Sequence, residues 1–173
     1  MPNRFLPSLC LAVLFSLTAL TSTAFAQQGA APPDTKVEEF EDWEVRCPAD
    51  GASGTCSMTQ LINNPKSQEP LMRVIMAYPP EIDTAAMVFM LPLGVGLAPG
   101  LQLKVDDNQP VSFPYQICVD QGCRADLPIE PALLEQMRSG GTATLSLAGP
   151  QGERLDLDIS LSGFTAASKR IAP

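Results

Sequence analysis

The amino-acid sequence predicts an all-β fold, a β-sandwich or a small β-barrel with one or two short helices. Three observations carry that expectation. Apolar and polar residues alternate with a period of two over several short segments. Clusters of Gly, Pro, Asn and Asp separate those segments as turns would. Only Pro131–Arg138 has clear helical spacing. About seven to nine short strands with so little helix imply a sandwich or a closed barrel.

Taken in order, the first 26 residues read as a secretory signal peptide. Arg4 supplies the positive start, Leu9 to Leu20 a short apolar run, and Ala24, Phe25 and Ala26 a small-residue cleavage site before Gln27. The run is shorter than the roughly 20 residues a spanning helix needs. Ala86 to Leu103 is the other apolar stretch, and prolines and glycines interrupt it. A soluble periplasmic or secreted protein is therefore expected, with no transmembrane segment after cleavage. Residues 27–37 hold two prolines and no apolar periodicity, so they are expected to form a flexible leader, with order beginning near Phe40. Residues 38–173 are expected to form a single β-rich, disulfide-stapled domain.

Trp43, Val45 and Cys47 alternate with Asp42, Glu44 and Arg46, the period of a half-buried strand. Thr55–Ile62 and Leu71–Tyr78 give two further strands, joined by a turn over Asn63–Ser67. Ala86–Leu91 is a continuous apolar run, expected as a strand buried on both faces. Leu101, Leu103 and Val105 face one way and Gln102, Lys104 and Asp106 the other. Ala143, Leu145 and Leu147, then Leu155, Leu157, Ile159 and Leu161, repeat the pattern around a hairpin turn at Gly149–Gly152. Pro131 opens the helix, Leu133, Leu134 and Met137 form its apolar side, and Gly140 and Gly141 stop it. A second short helix is expected over Phe164–Ile171.

Cleavage would remove Cys10 and leave Cys47, Cys56, Cys118 and Cys123. An even number in an exported chain reads as a disulfide framework. Four cysteines allow three pairings. The local one, Cys47–Cys56 and Cys118–Cys123, is preferred because each pair brackets a turn-rich segment. Each bond would contribute about 2–3 kcal/mol by the chain-entropy argument. Zinc is disfavoured by the wide spacing and the absence of histidine.

Charge and composition exclude more than they specify. The chain has 11 basic and 19 acidic residues, a formal −8, and cleavage would remove only Arg4, making −9. That balance opposes nucleic acid or an anionic membrane as partner. With no histidine, Ser-His-Asp and Cys-His catalysis cannot be built. The Cys118–Cys123 spacing is not the C-x-x-C of thiol–disulfide exchange. Gly94, Gly96 and Gly100 resemble a fragment of a dinucleotide loop, but an alternating strand follows where a helix is required, so they read as a bend. Asp106, Asp107 and Asn108 read as a turn rather than a calcium loop. Asp156 and Asp158 read as a solvated strand face, although two carboxylates in a cleft could act as in a glycosidase. Glu38, Glu39, Glu41, Asp42 and Glu44 read as protection of an edge strand, or alternatively as a surface for a basic partner. Met58, Met72, Met76, Met87, Met90 and Met137 read mainly as core.

From Leu91 to Asp106 the pattern Leu-Pro-Leu-Gly-Val, then Gly100 and an alternating strand ending Val105-Asp106, resembles the invasion-associated locus B family of exported bacterial proteins. The resemblance extends to Trp43, Glu44, Val45 and Cys47, to Cys56 and Met58, to Pro114 through Cys118, to Gly122 and Cys123, and to Ser162, Gly163 and Phe164. It implies a periplasmic or secreted β-rich domain, associated with host-cell invasion in the pathogens that named the family, and no established catalytic residues. The reading is a non-catalytic binding protein of the bacterial envelope, with no cofactor, metal or catalytic residue expected. Its partner would be an envelope or host-surface protein or glycan. A carboxylate-based envelope hydrolase and a small-ligand carrier are the alternatives.

Overall fold

The computed structural model describes residues 35–49, 54–64 and 67–173. The expected signal peptide and residues 27–34 of the expected leader lie outside them, as do the tips of the first two expected turns, residues 50–53 and 65–66. Eleven strands and two helices follow in chain order: β1 (Thr35–Phe40), β2 (Trp43–Pro48), β3 (Ser57–Asn63), β4 (Pro70–Ala77), β5 (Ala85–Leu91), β6 (Leu101–Val105), β7 (Val111–Phe113), β8 (Tyr115–Val119), β9 (Gly122–Ile129), α1 (Pro131–Ser139), β10 (Thr142–Ala148), β11 (Arg154–Ser160) and α2 (Phe164–Ile171).

The strands make two antiparallel sheets, one of seven strands in the order β1-β2-β3-β4-β5-β9-β8 and one of four in the order β11-β10-β6-β7. Neither closes on itself, which selects the sandwich over the barrel. Among the described residues no helix is long and apolar enough to cross a membrane. Alternation explains the layering. Val45, Met58, Val74, Met76, Met87 and Phe89 point inward from the large sheet to meet Leu101, Leu103, Val105, Ala143, Leu145 and Ile159 from the small one, in one continuous core. Both helices pack on that core through Leu133, Met137, Phe164, Ala167 and Ile171.

Two polar side chains rivet the layers. Trp43 Nε1 donates to the Ser160 carbonyl at 2.9 Å, and the ring stands edge-on to Phe164 at 5.4 Å. Buried Gln60 donates to the same carbonyl at 3.0 Å and accepts from the Ser160 N–H at 3.0 Å. Cys47 is bonded to Cys56 and Cys118 to Cys123, with Cα separations of 4.2 and 4.0 Å.

Three expectations are corrected. Thr35–Val37, inside the expected leader, pair with Arg46–Pro48 as part of β1. Backbone pairing, not apolar burial, makes this strand, so no alternation announces it. Second, β5 is buried on one face alone. Ala86, Val88 and Met90 are half-buried, because no described element covers the outer face of the large sheet. Third, Leu155 is 37% exposed, since β11 is an edge strand whose first half runs out past the core, and Ile159 is its buried residue.

Candidate functional site

The uncovered face of the large sheet brings together residues that are distant in sequence. Register places Leu61 beside Arg73, Arg73 beside Met90, Met90 beside Arg124, and Arg124 beside Ile117. A parallel row holds Glu44, Thr59, Ile75, Val88 and Asp126. Neighbours within each row stand about 4.8 Å apart, one strand spacing. Leu61 and Ile117 are 45% and 56% exposed.

Charge on this face is largely paired. Arg124 forks onto Asp126 at 2.7 and 2.9 Å, and Arg46 pairs with Glu44. Both arginines are held above their usual pKa, chiefly by the hydrogen bond to the neighbouring acid. The Thr59 hydroxyl turns to the Val74 carbonyl at 2.9 Å. Arg73 differs. Among the described residues it makes no ion pair or hydrogen bond, whereas Arg46, Arg124, Arg138, Arg154 and Arg170 each face an acid. It stands between Leu61 and Met90. Two open clefts meet at Leu61 and Arg73: one of about 260 Å³ edged by Glu39, Glu41, Asp42 and Glu44, the other of about 270 Å³ edged by Leu71, Met90 and Pro92.

The residues singled out from the sequence fall elsewhere or serve the fold. Glu38 points away from the acidic cleft. Three hydrogen bonds from Arg170, at 2.7–3.0 Å, hold its carboxyl below the ordinary range. Asp42 accepts from Ser160 Oγ at 2.6 Å and Glu41 from Ser162 Oγ. Asp106 caps the Gly141 and Thr142 N–H groups at 3.0 Å each, and Asn108 Nδ2 donates to the Val105 carbonyl at 3.0 Å, so this segment is a turn. The Gly94–Gly100 segment leads into β6. Gly100 has φ +70, and a side chain there would meet the Phe113 carbonyl at 2.8 Å. Met58, Met72, Met76, Met87 and Met137 are buried, while Met90 lies on the outer face.

Asp156 and Asp158 lie on the outer face of the small sheet. Asp156 accepts from Ser146 Oγ at 2.6 Å and from Arg154 Nε at 2.9 Å, and the Ser146 bond does most to hold it below the ordinary aspartate range. Thr144 Oγ1 donates to Asp158 at 2.8 Å. A carboxyl kept ionised in this way is a poor general acid near neutrality. No group of three or more Cys, Asp or Glu side chains is arranged to hold a metal ion among the described residues. The clefts at these surfaces, of about 240 to 280 Å³, are open to solvent and smaller than the several hundred cubic ångström of a ligand pocket.

Comparison with known proteins agrees with this architecture. The family model described as invasion associated locus B protein matches residues 43–172. Invasion protein B homologues of Brucella abortus, from strain 2308 and from biovar 1 strain 9-941, are each 29% identical over 161 residues, covering 91% of both chains. The crystal structure of an invasion associated protein B from Bartonella henselae superposes with a TM-score of 0.69 at 18% identity, covering 79% of this chain and 95% of that one.

Proposed function

This chain belongs to the invasion associated locus B family, and on that footing we propose that it is an exported binding protein of the bacterial envelope. Its working surface is the outer face of the seven-stranded sheet, centred on Arg73. The single observation that carries this reading is Arg73 itself. An arginine without a described partner, set between Leu61 and Met90, offers a strong directional donor beside apolar surface, the composition of an interface anchor. The matching partner is a protein that brings a carboxylate to Arg73 and aliphatic side chains to Leu61, Ile75 and Met90. The two rows contain no aromatic ring on which a sugar could stack, which favours protein over glycan. Two disulfides suit a periplasmic or secreted location, since such bonds persist in oxidising compartments. The hydrolase and carrier alternatives lose support from the downward shift of Asp156 and the shallow clefts.

The test is affinity capture with residues 27–173 as bait, against envelope and host-membrane extracts at low and moderate salt. The wild type is expected to retain a saturable protein that a Leu61→Asp, Arg73→Glu double variant binds at least about tenfold more weakly. Gln102→Glu, on the small sheet, should bind as the wild type does. Equal capture by the double variant, or no saturable partner at all, refutes the reading.

A further inference from the structure

The four sheet edges are not alike. β1 carries Lys36, Glu38 and Glu39, and β11 carries Arg154, Asp156 and Asp158. β7 has only three residues, between Pro110 and Pro114. Charge, shortness and flanking proline are the ordinary means of keeping a strand edge from recruiting another strand. β8, Tyr115-Gln-Ile-Cys-Val119, has no charged residue, and its Ile117 and Val119 are 56% and 46% exposed. One protection remains: Gln116 is an extra residue where the β8–β9 register shifts. Beyond it, Ile117–Val119 pair regularly with Gly122–Arg124 up to the turn.

The register also fixes which backbone groups are free. Val119 and Gly122 flank a two-residue turn, so they form a hydrogen-bonded pair, and Cys118 opposite Cys123 forms the non-hydrogen-bonded pair that follows. Their Cα separation of 4.0 Å agrees with that geometry. The N–H and C=O of Cys118 therefore point away from β9, toward the open edge.

We propose that β8 is a self-pairing edge, on which a second copy of this chain adds antiparallel about a two-fold axis at Cys118. The two Cys118 backbones then exchange both hydrogen bonds. Ile117 of each copy lies opposite Val119 of the other, on the same face as Met90 and Arg124. Gln116 lies opposite Asp120, so no like charges meet, which matters for a chain of net charge −8. Self-complementarity is what commits the occupant to a second copy: the two-fold register sets apolar Ile117 opposite apolar Val119 and neutral Gln116 opposite Asp120, so one copy's edge already supplies what the other's needs. A contact of a few ladder residues is smaller than a standard interface. The association is therefore weak and concentration-dependent, and it extends the large sheet to 14 strands across two copies.

Sedimentation velocity on residues 27–173, from about 10 µM to about 1 mM, tests this directly. The average mass is expected to climb toward twice the monomer. Ile117→Lys and Val119→Lys should each keep the protein monomeric over the range, whereas Leu155→Lys on β11 should associate like the wild type. The near-UV signal of Trp43 verifies that the variants fold. Amide exchange at Cys118 should slow as concentration rises. A monomer at every concentration overturns the proposal, as do a dimer undiminished by both lysine variants and a Cys118 exchange rate independent of concentration. Partner capture plays no part in these readouts, so this proposal and the binding function can fail separately.

Discussion

The outer faces of the two sheets are both free of a described covering layer, yet they are built from opposite chemistry. On the small sheet, Ser146, Thr144 and Gln102 donate to Asp156, Asp158 and Ser112, and Lys104 faces Asp107. Every one of these side chains has its partner within the sheet or in the turn that follows β6. On the large sheet, Leu61, Ile75, Val88, Met90 and Ile117 occupy equivalent outward positions, and Arg73 has no described partner. If exposure to water alone decided composition, the two faces would match. Their difference teaches that one face has the composition of a solvated surface, while the other has the apolar composition on which the proposed binding role rests.

The comparison breaks most violently if the layers come apart. Trp43→Ala removes the edge-on contact with Phe164 and the bond to Ser160, and should lower unfolding free energy by about 3–5 kcal/mol. Urea denaturation followed by far-UV circular dichroism would measure it, and a loss below about 1 kcal/mol would show that the rivet between sheets is unimportant.

A smaller effect belongs to the polar face. Asp156 has a folded pKa below the usual aspartate value of 3.8, so its stabilising contribution is present above that value and disappears as pH falls through the lower, folded one. The side chain is largely exposed, which keeps the contribution under about 1 kcal/mol. Asp156→Asn should therefore be slightly less stable than wild type at pH 7, with the difference shrinking as pH falls below 3.8. A stability difference that grows on acidification would contradict the assignment.

The smallest effect sharpens the contrast. Leu61→Ser should change stability by no more than about 0.5 kcal/mol, because Leu61 lies on the face that the fold does not need. A thermal scan showing a large loss would mean that the apolar face contributes to folding after all.

What could be read from the sequence follows the same division. β2, β6 and β10 are legible because one side of each is driven into the core, and α1 because Pro131 and Gly140 mark its ends. β1 and β7 are silent, because an exposed edge strand and a three-residue strand bury too little to leave a pattern. β8 and β9 announce themselves only through their cysteines. The Arg73 surface is invisible for a different reason. Leu61, Arg73, Met90 and Ile117 become neighbours through register across five strands, and Val88 and Met90 sit in an apolar run that reads as core on both sides. The acidic stretch from Glu38 to Glu44 is the reverse case, conspicuous in sequence but divided by the structure between a helix clamp, a turn and a cleft edge.

Glu38 and Arg170 are 132 residues apart, and Gly163 lies directly against the Phe40 carbonyl. Trp43 likewise waits for Phe164. None of these contacts exists until α2 has been made, so until then β1 and the Trp43 end of β2 have only their strand neighbours to pack against. Bringing such distant segments together is slow. The clamp therefore acts as a late lock: β1 and the Trp43 end of β2 reach their final packing only after nearly the whole chain has been made.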